Sequence, residues 1–96
     1  MIGVIAILKV LDGKNAEFEA IFAELAAKVR ANEPGNRFYQ LTRSRADANT
    51  YKVLELYRDQ EALTAHRGTD YFRELGRKMA PCMAGRPEVE LLDALA

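Results

Sequence analysis

The chain has 96 residues, about the length of one domain. Fourteen Lys and Arg balance fourteen Asp and Glu, a zero net charge that argues against a nucleic-acid partner, whose phosphates call for surplus cations. One Cys (Cys82) and one His (His66) supply neither an internal disulfide nor a four-ligand zinc site. Apolar residues at 49% and charged residues at 29% match a globular domain, neither disordered nor membrane-embedded.

Ile2 to Leu11 reads as the first strand, rich in β-branched residues and closed by the turn signal Asp12-Gly13. Its even positions (Ile2, Val4, Ala6, Leu8, Val10) are apolar, and so are Ile5, Ile7 and Leu11 among the odd ones. Both faces therefore call for burial. The run is too short to span a bilayer and lacks a basic leader, so an intracellular, cytoplasmic protein with no membrane partner is expected.

Lys14 to Asn32 reads as a helix, with Phe18, Ile21, Phe22, Leu25 and Val29 on one stripe. Glu17 and Glu19 near its start and Lys28 and Arg30 near its end suit the helix dipole. Glu33-Pro34-Gly35 stops it. Asn36 to Ser44 and Thr50 to Arg58 read as an antiparallel pair of strands joined by a loop over Arg45 to Asn49. In the later strand Tyr51, Val53, Glu55 and Tyr57 share one face, Leu54 and Leu56 the other.

Asp59 is the expected N-cap of a short helix through Arg67, which places His66 on one face with Ala62 and Leu63. Gly68 ends it and Thr69 caps the next, whose stripe is Phe72, Leu75 and Met79. Pro81 breaks that helix, Gly85-Arg86-Pro87 is loop, and Glu88 to Leu95 reads as the last strand.

The order β-α-β-β-α-β, with the second helical stretch broken, predicts a ferredoxin-like α+β fold with an antiparallel sheet, residues 1–96 forming one domain. Helices would cover one sheet face. Nothing else in the chain covers the other, so the two-faced first strand predicts a homodimer packed sheet to sheet.

Two residues stand out as chemistry. His66, the only imidazole, is expected to face the sheet and is a natural general base near neutral pH. Glu55 lies mid-strand among apolar neighbours, where a carboxylate needs a partner. It would orient His66, bind a substrate group, or pair across strands with Arg37 or Arg43. Tyr39, Tyr51, Tyr57, Tyr71, Phe38 and Phe72 are candidates to line a pocket for a flat substrate or to fill the core. Met79, Cys82 and Met83 form a sulfur cluster that reads as packing, without metal-ligand spacing. No glycine-rich dinucleotide or phosphate loop and no nucleophile elbow is present.

The runs EPGNRFYQLTRS (Glu33 to Ser44), YKVLELYRD (Tyr51 to Asp59) and EALTAH (Glu61 to His66) together resemble the antibiotic biosynthesis monooxygenase family. The resemblance extends over nearly the whole chain and implies a dimeric α/β barrel with a pocket between sheet and helices in each protomer. Members of that family oxidise quinols or anthrone-like polyketides with O2 and need neither metal nor flavin. The resemblance carries His66 onto the motif histidine, Glu55 onto the strand glutamate and Tyr57 onto a position usually held by Trp. Tyr71, within Thr69-Asp70-Tyr71-Phe72, takes the place of a second histidine. The absence of any Trp speaks against haem oxygenation.

The resemblance thus implies a cofactor-independent monooxygenase using O2 on a small quinol or polyketide-like aromatic. His66 would be base, Glu55 would orient it, and Tyr57, Tyr71, Phe72 and Tyr39 would bind substrate. Two further readings fit the same residues. One is an isomerase of a small phosphorylated keto-sugar, with Arg67, Arg73 and Arg77 as loose phosphate ligands. The other is a non-catalytic, ligand-binding or stress-response dimer.

Overall fold

The computed structural model describes residues 1–96 and runs β1 (Ile2–Lys9), α1 (Asn15–Asn32), β2 (Asn36–Arg43), β3 (Thr50–Tyr57), α2 (Gln60–Arg67), α3 (Asp70–Met79) and β4 (Glu88–Asp93), with a 3-10 turn at Ala80–Cys82. All neighbouring strands are antiparallel, in the order β2-β3-β1-β4. This is the expected ferredoxin-like α+β fold. No helix is long and apolar enough to cross a membrane.

All four strands end earlier than expected, β2 and β3 by one residue and β1 and β4 by two. β1 stops at Lys9 rather than Leu11, because Val10 leaves the ladder and bridges Met83. The Leu11 N–H donates to the Cys82 carbonyl at 2.8 Å, tying the chain after α3 back to β1. β4 ends at Asp93 rather than Leu95, because Asp93 already faces Ile2, the first residue of β1.

Strand register sorts the sheet faces. Val4, Ala6 and Leu8 of β1 share the helix-covered face with Tyr51, Val53, Glu55 and Tyr57 of β3 and Tyr39 of β2. There α1 buries Phe18, Phe22, Leu25 and Val29. Phe22 stacks on Tyr39, with centroids 5.6 Å apart.

The opposite face has no covering element. It carries Ile5 and Ile7, Leu54 and Leu56, Phe38 and Leu92, of which Phe38 is 46% exposed. The apolar second face of β1 is therefore real and stands open within one chain.

Both short helices are capped as their residues dictate. The Asp59 carboxylate accepts from Ala62 N–H at 2.9 Å, and the Thr69 hydroxyl accepts from Phe72 N–H at 3.2 Å. These caps fix the rotation of α2 and α3, and so the direction in which His66 and Phe72 point.

Candidate active site

The site begins where α1 ends. A residue before proline is pushed out of the helical region, and Glu33 takes φ −118° and ψ 86°. Its side chain thereby leaves the α1 surface and turns toward α2. Gly35 lets α2 come close, since a Cβ there would lie 2.6 Å from the Ala62 Cβ. His66 lies one helical turn beyond Ala62 on the same inward face, with Leu63 beside it.

These two placements meet in one contact. His66 Nδ1 lies 2.9 and 3.1 Å from the two oxygens of Glu33. The Tyr71 hydroxyl donates to the same carboxylate from the α3 side. A carboxylate that already receives the Tyr71 proton needs donors, so the neutral imidazole carries its hydrogen on Nδ1. That leaves Nε2 as a lone-pair acceptor. Nε2 has no protein partner, yet no buried side-chain nitrogen or oxygen lacks one, so Nε2 is open to accessible space.

The space is a cavity of about 210 Å³ between sheet and helices. Thirteen of its eighteen lining residues are hydrophobic, among them Val4, Leu25, Val53, Leu63, Phe72 and Val89. Three polar groups reach it from buried positions: His66, Glu55 and Tyr39. The Glu55 Oε1 accepts from the Tyr57 hydroxyl at 2.6 Å, while Oε2 is unpartnered. The Tyr39 hydroxyl is likewise unpartnered and accessible. The rings of Tyr39, Tyr57 and Phe72 stand 5.4, 5.3 and 4.7 Å from the imidazole centroid and box it in. No three His, Cys, Asp or Glu side chains lie together as a metal site would require.

Burial divides the protonation states. It lowers the His66 pKa below the ordinary 6.5, against the pull of Glu33, so the imidazole is neutral at neutral pH. Burial raises Glu55 from 4.5 to about 7, although the Tyr57 hydrogen bond and the nearby Arg67 oppose it. Burial also raises Tyr39 and Tyr57, which stay protonated as hydrogen-bond donors. The cavity thus holds a neutral base, a phenol donor and a carboxyl group poised to titrate near neutrality.

Of the residues singled out in sequence, His66, Glu55, Tyr39 and Phe72 line the cavity. Tyr57 and Tyr71 do not. Tyr57 is fully buried with its hydroxyl committed to Glu55, and Tyr71 faces an outer groove beside Glu33 and Arg58. Tyr51 is core, with its hydroxyl on Glu19, and Phe38 is on the open sheet face. The orientation of His66 is a correction: Glu33, not Glu55, holds Nδ1. Glu55 has no cross-strand Arg either, since Arg43 pairs with Glu19 at 3.4 Å. In the sequence Glu33 reads only as part of a helix stop. The available signal was an acidic residue fixed ahead of Pro34-Gly35 at a turn abutting the next helix.

The Glu55 shift has a stability consequence. Its folded pKa is raised, so its contribution to stability is complete at low pH and is lost as pH rises from about 4.5 through about 7. Glu55→Gln keeps an acceptor for Tyr57 and removes the charge. The variant is expected to exceed the parent in stability by about 2–3 kcal/mol above pH 8, the gap closing below pH ~4. Denaturant unfolding at the two pH values checks this, and an equal difference at both would contradict the assignment.

Comparison with known proteins agrees with this architecture. The family model for antibiotic biosynthesis monooxygenase matches residues 1–78. A crystal structure from Caulobacter crescentus, provisionally described as an antibiotic biosynthesis monooxygenase, is 58% identical with a TM-score of 0.97, the match covering 99% of this chain and 90% of that one. SnoaB, a cofactor-independent oxygenase from Streptomyces nogalater, is 26% identical with a TM-score of 0.84, covering 97% and 91%. A protein from Nitrosomonas europaea at 22% identity shares the fold, with a TM-score of 0.91 over both complete chains. No curated protein matches the chain. These likenesses support a monooxygenase-type function, and with four-fifths of its length matched by the family model, the chain belongs to the antibiotic biosynthesis monooxygenase family.

Proposed function

We propose that the chain oxidises a small quinol or polyketide-like aromatic with O2, without a resident cofactor, as a cytoplasmic homodimer. The observation that carries this reading is a buried imidazole, held at Nδ1 by Glu33, that lines an apolar cavity. An apolar cavity of about 150 Å³ suffices for benzene, so about 210 Å³ suits one substituted ring or two fused rings.

In this mechanism His66 Nε2 removes a phenolic or activated C–H proton. The Tyr39 hydroxyl and protonated Glu55 donate to the oxygen on which charge develops. The electron-rich enolate then reduces O2 and forms the new C–O bond. Cleavage of the O–O bond leaves one oxygen on the substrate carbon and releases the other as water, which takes up the two hydrogens the substrate lost. Phe72 and the aliphatic walls keep bulk water out. Tyr57 positions Glu55, and Tyr71 helps fix Glu33.

The keto-sugar alternative would need clustered cations at the cavity. Of its three candidates only Arg67 lines it, while Arg73 pairs with Asp70 at the surface. The dimer rests on the open apolar sheet face described above.

Oxygen uptake with a panel of quinols and anthrones tests the oxidation. His66→Ala is expected to lower turnover at least 100-fold while the protein stays folded, because it removes the base. The parent's kcat/KM should fall on the acid side only below pH 6.5, since His66 is held below its ordinary value, and on the alkaline side above about pH 7, as Glu55 loses the proton it donates. Uptake unchanged in the variant would refute the role. Sedimentation should give about twice the 10.8 kDa chain mass. Leu54→Asp should return the monomer, and a monomeric parent would exclude the dimer.

A further inference from the structure

Arg67 is the only cation among the eighteen residues lining the cavity. Its side chain forms no ion pair and no hydrogen bond, as is also true of Arg37, Arg45, Arg77 and Arg86, but none of those lines the cavity. The residue is exposed while its neighbour His66 is buried, so the guanidinium lies at the rim and the base within. It is close enough to act electrostatically on both Glu55 and His66.

Its place in the last turn of α2 favours a cation through the helix dipole, which explains a positive charge but not one at a cavity rim. The rest of the rim offers it nothing. Met79, Met83, Pro87 and Val89 line the same cavity and are apolar or without a charged group. Glu55 is the only carboxylate of the lining, and it is buried with one oxygen held by Tyr57.

We propose that Arg67 receives an anionic substituent of the substrate, so that the preferred substrate is a one- or two-ring hydroxylated aromatic acid. The ring lies in the apolar cavity with a hydroxyl at His66 and Tyr39, and the carboxylate meets the planar guanidinium fork at the rim. A compound of this class is amphiphilic in the same sense as the site: apolar body inside, one charge outside. The inference rests on the oxidation reading for the hydroxyl's role, but the recognition itself requires no turnover.

The test is therefore binding under anaerobic conditions, with hydroquinone and 2,5-dihydroxybenzoate as a matched pair. The parent is expected to bind the acid at least 10-fold more tightly, equivalent to about 1.4 kcal/mol. Arg67→Gln should erase that preference, read as the ratio of the two affinities within the variant, and Arg67→Lys should retain part of it. The preference should weaken with added salt. Equal affinity for the two compounds in the parent, or a preference that survives Arg67→Gln, would overturn the assignment. Acid-selective binding without oxygen uptake would uphold Arg67 as the anion contact and count against the oxidation reading alone.

Discussion

The hydrogen bond between Glu33 and His66 Nδ1 is the constraint from which the rest of the site follows. It joins the end of α1 to the inner face of α2, across 33 residues of sequence. The bond forms because Pro34 forces Glu33 out of the helix and because Gly35 lets Ala62 approach. With Nδ1 engaged, the free nitrogen of the ring is the one that opens on the cavity. Tyr71 adds a second donor to the same carboxylate, so a group that would be costly to bury alone is satisfied twice.

The low-polarity surroundings then set the charges. Desolvation acts on His66 and Glu55 in opposite directions on the pKa scale, yet disfavours the charged form of both. A cavity with a neutral base and a carboxyl near its midpoint takes up an uncharged aromatic ring at little electrostatic cost. It also strengthens each hydrogen bond made to charge that develops during reaction. The one permanent charge of the lining, Arg67, is an exposed residue.

Much of this fold was legible in the residues. Caps at Asp59 and Thr69, the stripe on α1 and the two-faced β1 are local or periodic signals, and each corresponds to an element in the structure. His66 could be placed inward from its spacing to Ala62 and Leu63. What failed to show was pairing at a distance. Nothing periodic connects Glu33 to His66, and the sequence points instead to Glu55 on the adjacent strand. Alternation did place Glu55 and Tyr57 on one face, but it could not reveal that the Tyr57 hydroxyl lies on Glu55 and not in the cavity. Tyr39 could be named as a candidate, whereas its unpartnered hydroxyl depends on packing that spacing does not resolve.

The most direct test of the account is the tautomer and charge of His66, read from its ring nitrogen shifts by 15N NMR at pH 7.5. The expected result is a neutral ring with hydrogen on Nδ1 and an unprotonated Nε2. A ring protonated on Nε2 alone, or a positively charged ring at that pH, would contradict it, because no lone pair would then face the cavity.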